Sequence, residues 1–162
     1  MKVLGERLSK YGLKPNEEKT RLVPFSRFET GKGNKQGSFD FLGFTFYFGR
    51  SKTGQVIPKV KTIGKRYRSK LKGVNDWCRK IRNQYELKDI WKRFCIKLAG
   101  HIQYYGVSFN SKRISTFSNQ AIHIFFKWIN RRSQRRSMSW EKFNLFMEKY
   151  PPPKARVCHK LF

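Results

Sequence analysis

The sequence is poor in acid. Its 162 residues hold 10 Asp and Glu against 37 Lys and Arg, giving a formal net charge of +27 and a pI near 10.5. A Mg²⁺ site for nucleotidyl transfer or hydrolysis needs several converging oxygen ligands. Here the acids are mostly scattered singly, and the adjacent pair Glu17-Glu18 reads as ordinary solvated charge in a turn. Cysteine is scarce too: Cys78, Cys95 and Cys158 are too widely spaced for a disulfide framework. No Cys-x-x-Cys or His-x-x-x-His spacing suits zinc, and Cys158-His159 has no close second Cys or His. Gly31-Lys32-Gly33 is too short and misplaced for a phosphate loop. No run of about 18 apolar residues is available to span a membrane, and the N-terminal Met1–Arg7 lacks the apolar core of a signal peptide. These absences predict a reduced, cytoplasmic protein with no membrane association, no metal and no cofactor of its own.

Apolar residues make up 38% of the chain, below the roughly 45–50% of ordinary globular chains. Aromatics compensate. There are 15 Phe, 4 Trp and 7 Tyr, and each ring buries about 150–250 Å², so a compact core is expected rather than a disordered basic tail. The charge is uneven. Residues 1–60 carry 12 basic and 5 acidic groups, a net +7, whereas residues 61–162 carry 25 and 5, a net +20. Such an excess repels itself unless a polyanion screens it, and nucleic acid is the first candidate partner. An anionic membrane surface is the lesser alternative.

The pattern changes near Val60. In the first part, Leu4, Leu8 and Tyr11 share one face of a short helix that Gly12 would stop. Arg21–Phe25 suits a short strand, and the Gly/Ser/Lys-rich Ser26–Ser38 a loop. Phe39–Phe48 is apolar on both alternating faces, which predicts one strand buried on two sides. Gly49–Gly54 would turn it back into Gln55–Lys59 as a hairpin. In the second part the period becomes helical. Ile63, Tyr67, Leu71, Val74, Cys78, Ile81 and Tyr85 mark a helix over 63–85. Ile90, Phe94, Leu98, Ile102 and Tyr105 mark a second that ends at Gly106. Ile114, Phe117, Ala121, Phe125 and Trp128 mark a third, with Ser111 as N-cap. A fourth spans Ser139–Glu148 before Pro151-Pro152-Pro153. Short connections between the first three favour a bundle.

Binding chemistry is better supported than catalysis. The first long helix carries Lys65, Arg66, Arg68, Lys70, Lys72, Arg79, Lys80 and Arg82, candidates for phosphate contact with few acids to balance them. At 3.6 residues per turn only about half can face one groove. Arg131, Arg132, Arg135 and Arg136 form a second cluster. Adjacent residues point different ways on a helix, so Tyr104-Tyr105 would offer one stacking ring and one core ring. His101, near the buried seam, suits a packed or RNA-contacting role better than that of a base.

Taken in order, these residues resemble a known family. Gly12-Leu13-Lys14 with Lys19-Thr20, followed by Phe39-Asp40-Phe41-Leu42-Gly43-Phe44, is similar to the last two motifs of a reverse-transcriptase palm. Gly100-His101-Ile102-Gln103-Tyr104-Tyr105-Gly106, Trp128 with Arg131-Arg132-Ser133, and Pro152–His159 resemble the thumb or maturase region of group II intron reverse transcriptases. The resemblance implies an α+β fold: a small β-hairpin remnant of a polymerase palm in residues 1–60, then an all-α helical thumb bundle in residues 61–162. It also implies that Lys19 lies near the incoming nucleotide's phosphates and that Phe41, Leu42, Gly43 and Phe44 form the primer grip. The thumb would grip template–primer duplex and intron RNA. The family's Asp-Asp turn is absent from this sequence, whose first Asp is Asp40, so the resemblance is to the C-terminal part of such an enzyme. Mg²⁺ is expected only in a complete polymerase. The expected function is RNA binding connected with intron splicing and mobility. The alternatives are a polymerase half completed by an upstream palm and fingers fragment, or an unrelated basic nucleic-acid-binding protein. Met1 would be an internal start, the start of a truncated reading frame, or that of one piece of a split element.

Overall fold

A computed structural model describes residues 2–16, 18, 20, 38–132 and 137–161. The elements run α1 (Lys2–Ser9), β1 (Phe39–Phe41), β2 (Phe44–Arg50), β3 (Val56–Thr62), α2 (Gly64–Ile81), α3 (Leu87–Tyr105), α4 (Ser111–Ile129) and α5 (Trp140–Lys149). The fold is α+β, with five helices and a three-stranded antiparallel sheet in the order β1-β2-β3. Two compact units divide it, Met1–Phe39 with Tyr47–Pro58 and Asp40–Phe46 with Lys59–Phe162. The strand expected at Arg21–Phe25 and nearly all of the Ser26–Ser38 loop lie outside the described residues, as do Glu17, Lys19 and Ser133–Arg136.

In the first unit α1 ends as its sequence asks. Gly12 takes φ +68°, its N–H bonds the Ser9 carbonyl, and the Leu13 N–H reaches back to Leu8 at 3.0 Å, a Schellman stop. The β2–β3 turn is self-contained. Ser51 N–H donates to Gln55 O (2.8 Å) and Gly54 N–H to Ser51 O (3.2 Å), with Gly54 at φ +82°. β2 runs on to Arg50 and β3 from Val56 to Thr62, so this turn lies later, and its return strand is longer, than the glycines suggest.

In the second unit the expected single strand over Phe39–Phe48 is two strands. Leu42 (φ +48°) and Gly43 (φ +86°) both lie in the left-handed region, the signature of a two-residue type I′ hairpin turn. Alternation could not reveal it, because apolar residues continue unbroken through the turn. Nor is the segment buried on both sides: Phe41 is 58% exposed and Leu42 66%.

The helices pack by their aromatic rows. α4 lies against α2, with Tyr67 edge-on to Phe117 at 5.7 Å and its hydroxyl donating to Gln120 Oε1 at 2.8 Å. α3 runs antiparallel to α4: His101 stacks on Phe117, and ten residues earlier Trp91 meets Phe125. α5 closes the far end with Phe143, fully buried against Trp91, Phe125 and Phe126. Ser139 caps α5, accepting from Lys142 N–H. Two boundaries among the long helices differ from expectation. α2 ends at Ile81, because Gln84 N–H bonds back to the Ile81 carbonyl and tightens the last turn. Tyr85 therefore lies outside it. α3 begins at Leu87, earlier than its first apolar marker.

The N-cap of α4 is Asn110, not Ser111, and its side chain does not cap the helix. Fully buried, it accepts from Thr62 N–H (3.0 Å) and donates to Thr62 Oγ1 and the Tyr105 carbonyl (both 2.9 Å). The end of β3 is thereby tied to the α3–α4 connection. Gly106 is equally constrained. A Cβ there would collide with the Ile102 carbonyl and meet the Arg156 carbonyl at 2.8 Å, where the C-terminal segment bonds back through Cys158 N–H and His159 N–H.

Candidate nucleic-acid interface

Between α2 and α3 lies an open groove of about 1130 Å³, floored by Phe117 and Ala121 of α4 and ended by the Leu42-Gly43 turn. Its walls follow from helical spacing. On α2, Arg66, Lys70, Gly73 and Trp77 recur every three or four residues and fall on one stripe. On α3, Lys97, His101 and Tyr104 do the same. Cations and rings therefore alternate around the groove. Lys97 Nζ stands 5.4 Å over the Trp77 ring, which fixes an otherwise floppy lysine stem beside an aromatic face.

His101 contributes shape rather than charge. It lies 3.6 Å from the Phe117 ring, nearly parallel, and 4.7 Å from Tyr105. Burial first, and the neighbouring Lys70 second, push its pKa down to about 4, so it is neutral at pH 7. Tyr105 is buried and its hydroxyl is harder to ionise, chiefly through burial. Tyr104 is 53% exposed. Its ring lies near-parallel to Phe44 at 6.0 Å, and its hydroxyl donates to the Leu42 carbonyl at 2.9 Å. A Cβ on Gly43 would come within 3.3 Å of the Tyr105 hydroxyl. The strained turn is thus held in place at the groove mouth by the last two residues of α3.

Of the candidate primer-contact residues, Leu42 and Gly43 line this groove, Phe41 is exposed on β1, and Phe44 is buried beneath Tyr104 and Tyr105. Lys19 lies outside the described residues. Of the candidate RNA-contacting residues, Arg66, Lys70, His101, Tyr104 and Tyr105 are brought together in the groove. Lys65, Arg68, Lys72, Arg79 and Lys80 are exposed elsewhere on α2. Arg82 and Arg131 stand over Trp128, and Arg132 donates to the Tyr85 carbonyl at 2.9 Å. Arg135 and Arg136 are outside the described residues. Sequence reasoning passed over Lys97 and Trp77. Lys97 precedes His101 by four residues on α3, and that spacing was the available signal.

Burial raises Cys78 to about 12 and Cys95 to about 11, so neither is a thiolate at pH 7. Among the described residues no group of His, Cys, Asp and Glu is arranged to hold a metal, and no helix is long and apolar enough to cross a membrane. No protein-family model matches the chain, and neither does any curated protein or solved structure.

Proposed function

We propose that the chain is an RNA-binding module corresponding to the end of the palm and the thumb of a group II intron reverse transcriptase or maturase, and that it grips duplex RNA along the α2–α3 groove. The observation that carries this reading is the type I′ turn at Leu42-Gly43, fixed by Tyr104 at the mouth of a groove whose walls present Arg66, Lys70 and Lys97. The three cations neutralise backbone phosphates. The exposed face of Tyr104 and the turn's left-handed backbone bear on sugar and strand end. Contact by backbone and 2′-hydroxyl is how A-form duplexes are held. Localisation with cytoplasmic RNA belongs to the same proposal, and a complementing palm and fingers fragment to its alternative.

The test compares an RNA duplex with a DNA duplex of the same sequence at equal salt, and structured intron RNA with random RNA duplex. Preference for RNA over DNA supports the groove reading, and preference for intron RNA supports the maturase reading. Equal affinity for RNA and DNA would remove the first, and equal affinity for intron and random RNA the second.

A further inference from the structure

Four of the five α2 cations that the groove leaves out share a location. Lys65, Arg68, Lys72 and Arg79 are separated by steps of three, four and seven, so they form one exposed stripe on the side of α2 roughly opposite the groove. Beside that stripe α2 meets α4, and the seam between them is also cationic. Near one end Arg113 stands 5.4 Å over the Tyr67 ring. Near the other, Trp128 Nε1 donates to Asn75 Oδ1 at 2.9 Å, and three cations converge on its indole: Arg82 at 5.0 Å, Arg131 at 5.3 Å and Lys127 at 5.5 Å. None of these residues lines the groove.

Counter-charge on this face is sparse. α4 contains no acid, and no Asp or Glu occurs anywhere between Asp89 and Glu141. On α2 the one carboxylate is Asp76. The indole face and the carbonyl-rich C-terminal ends of α2 and α4 account for cations gathering at Trp128. Their consequence matters more. A guanidinium held over a ring has already given up part of its side-chain freedom, so less is lost when its N–H fork meets a phosphate.

We propose that this α2–α4 ridge is a second RNA-backbone contact, separate from the groove, so that one chain bridges two RNA segments. The proposal rests on the RNA-binding reading for its first segment; the ridge is the second. A protein built this way would hold two helices of a folded RNA side by side, rather than merely coat one.

The experiment counts short RNA hairpins bound per chain by native mass spectrometry, after confirming that the free chain is monomeric. The wild type is expected to take two. Replacing exposed ridge cations (Lys72→Gln, Arg79→Gln, Lys127→Gln, Arg131→Gln) should leave one, bound with unchanged affinity. A charge-matched control (Lys92→Gln, Lys142→Gln, Lys154→Gln, Lys160→Gln) should keep two. The proposal is overturned by one hairpin per wild-type chain, by a ridge variant that still takes two, or by a control that loses the second. The groove variant (Arg66→Gln, Lys70→Gln, Lys97→Gln) separates the two readings. If it weakens the first hairpin and spares the second, both stand. If it changes neither, the groove reading alone fails, and the ridge result still decides the ridge.

Discussion

The two halves of α3 have the same helical period and opposite uses. In the N-terminal half Trp91 and Phe94 stack at 5.3 Å, Phe125 and Phe143 close over them, and the indole N–H is spent on the Tyr150 carbonyl at 2.8 Å. In the C-terminal half a neighbouring stripe carries Lys97, His101 and Tyr104, which line the open groove with His101 seated on Phe117 of α4. α5 accounts for the difference, since it covers one half and not the other. Aromatic residues sealed by aromatic residues are core, whereas aromatic residues interleaved with cations beside an open groove are a binding surface. The contrast shows why a count of 26 rings could not be assigned wholly to either role.

The contrast can be broken hardest at the sealed end. Phe143→Ala removes a fully buried ring that touches five other aromatics, Trp91, Phe125, Phe126, Trp140 and Phe146. It should cost about 3–5 kcal/mol, read by denaturant unfolding. RNA affinity measured where the variant remains folded should not change. At the open end the largest effect is one of pH. With its pKa lowered to about 4 in the fold from an ordinary 6.5, His101 takes up a proton more readily when unfolded. Stability is therefore complete above about pH 6.5, falls as the pH drops toward 4, and levels off below. Allowing for solvent screening of a half-buried group, the loss is on the order of 1–2 kcal/mol. His101→Phe, which keeps a ring on Phe117, should flatten this limb; an unchanged acid limb would show that another group titrates there. The smallest effect sharpens the same comparison. Tyr104→Phe removes only the bond to the Leu42 carbonyl and should cost about 0.5–1.5 kcal/mol. Faster amide exchange at Leu42 and Gly43 would accompany it if that bond holds the turn.

Much of this was legible from spacing. The apolar stripes of the three long helices, the Ser139 cap and the Gly12 stop all follow from local rules, because each depends on neighbours a few residues away. What failed depended on distant partners. Leu42 adopts a left-handed backbone that its side chain does not favour, and the structure holds it there through Tyr104, 62 residues later. Asn110 gives up its capping role because Thr62 and the Tyr105 carbonyl need its amide more. Phe44 illustrates the cost of judging from one segment. Alternation places it mid-strand, yet it opens β2 just after the Leu42-Gly43 turn and is buried against Tyr105, so Phe44→Asp would unfold the hairpin base. The seven basic residues of α2 were visible, but the sequence could not divide them. Only the position of α3 and α4 assigns Arg66 and Lys70 to the groove and Lys65, Arg68, Lys72 and Arg79 to the opposite side.

That division is the central claim, and salt dependence tests it most directly. Each phosphate neutralised adds roughly 0.7–0.9 to the slope of log affinity against log salt. Replacing Arg66, Lys70 and Lys97 together with Gln should therefore lower the slope for a single RNA duplex by about 2 to 3, with unfolding stability unchanged or slightly raised as repulsion is relieved. The same measurement on Lys65→Gln, Arg68→Gln, Lys72→Gln and Arg79→Gln should leave that slope nearly as it was. If the groove variant keeps the wild-type slope, or the opposite-side variant loses it instead, the groove does not grip RNA and the account is wrong.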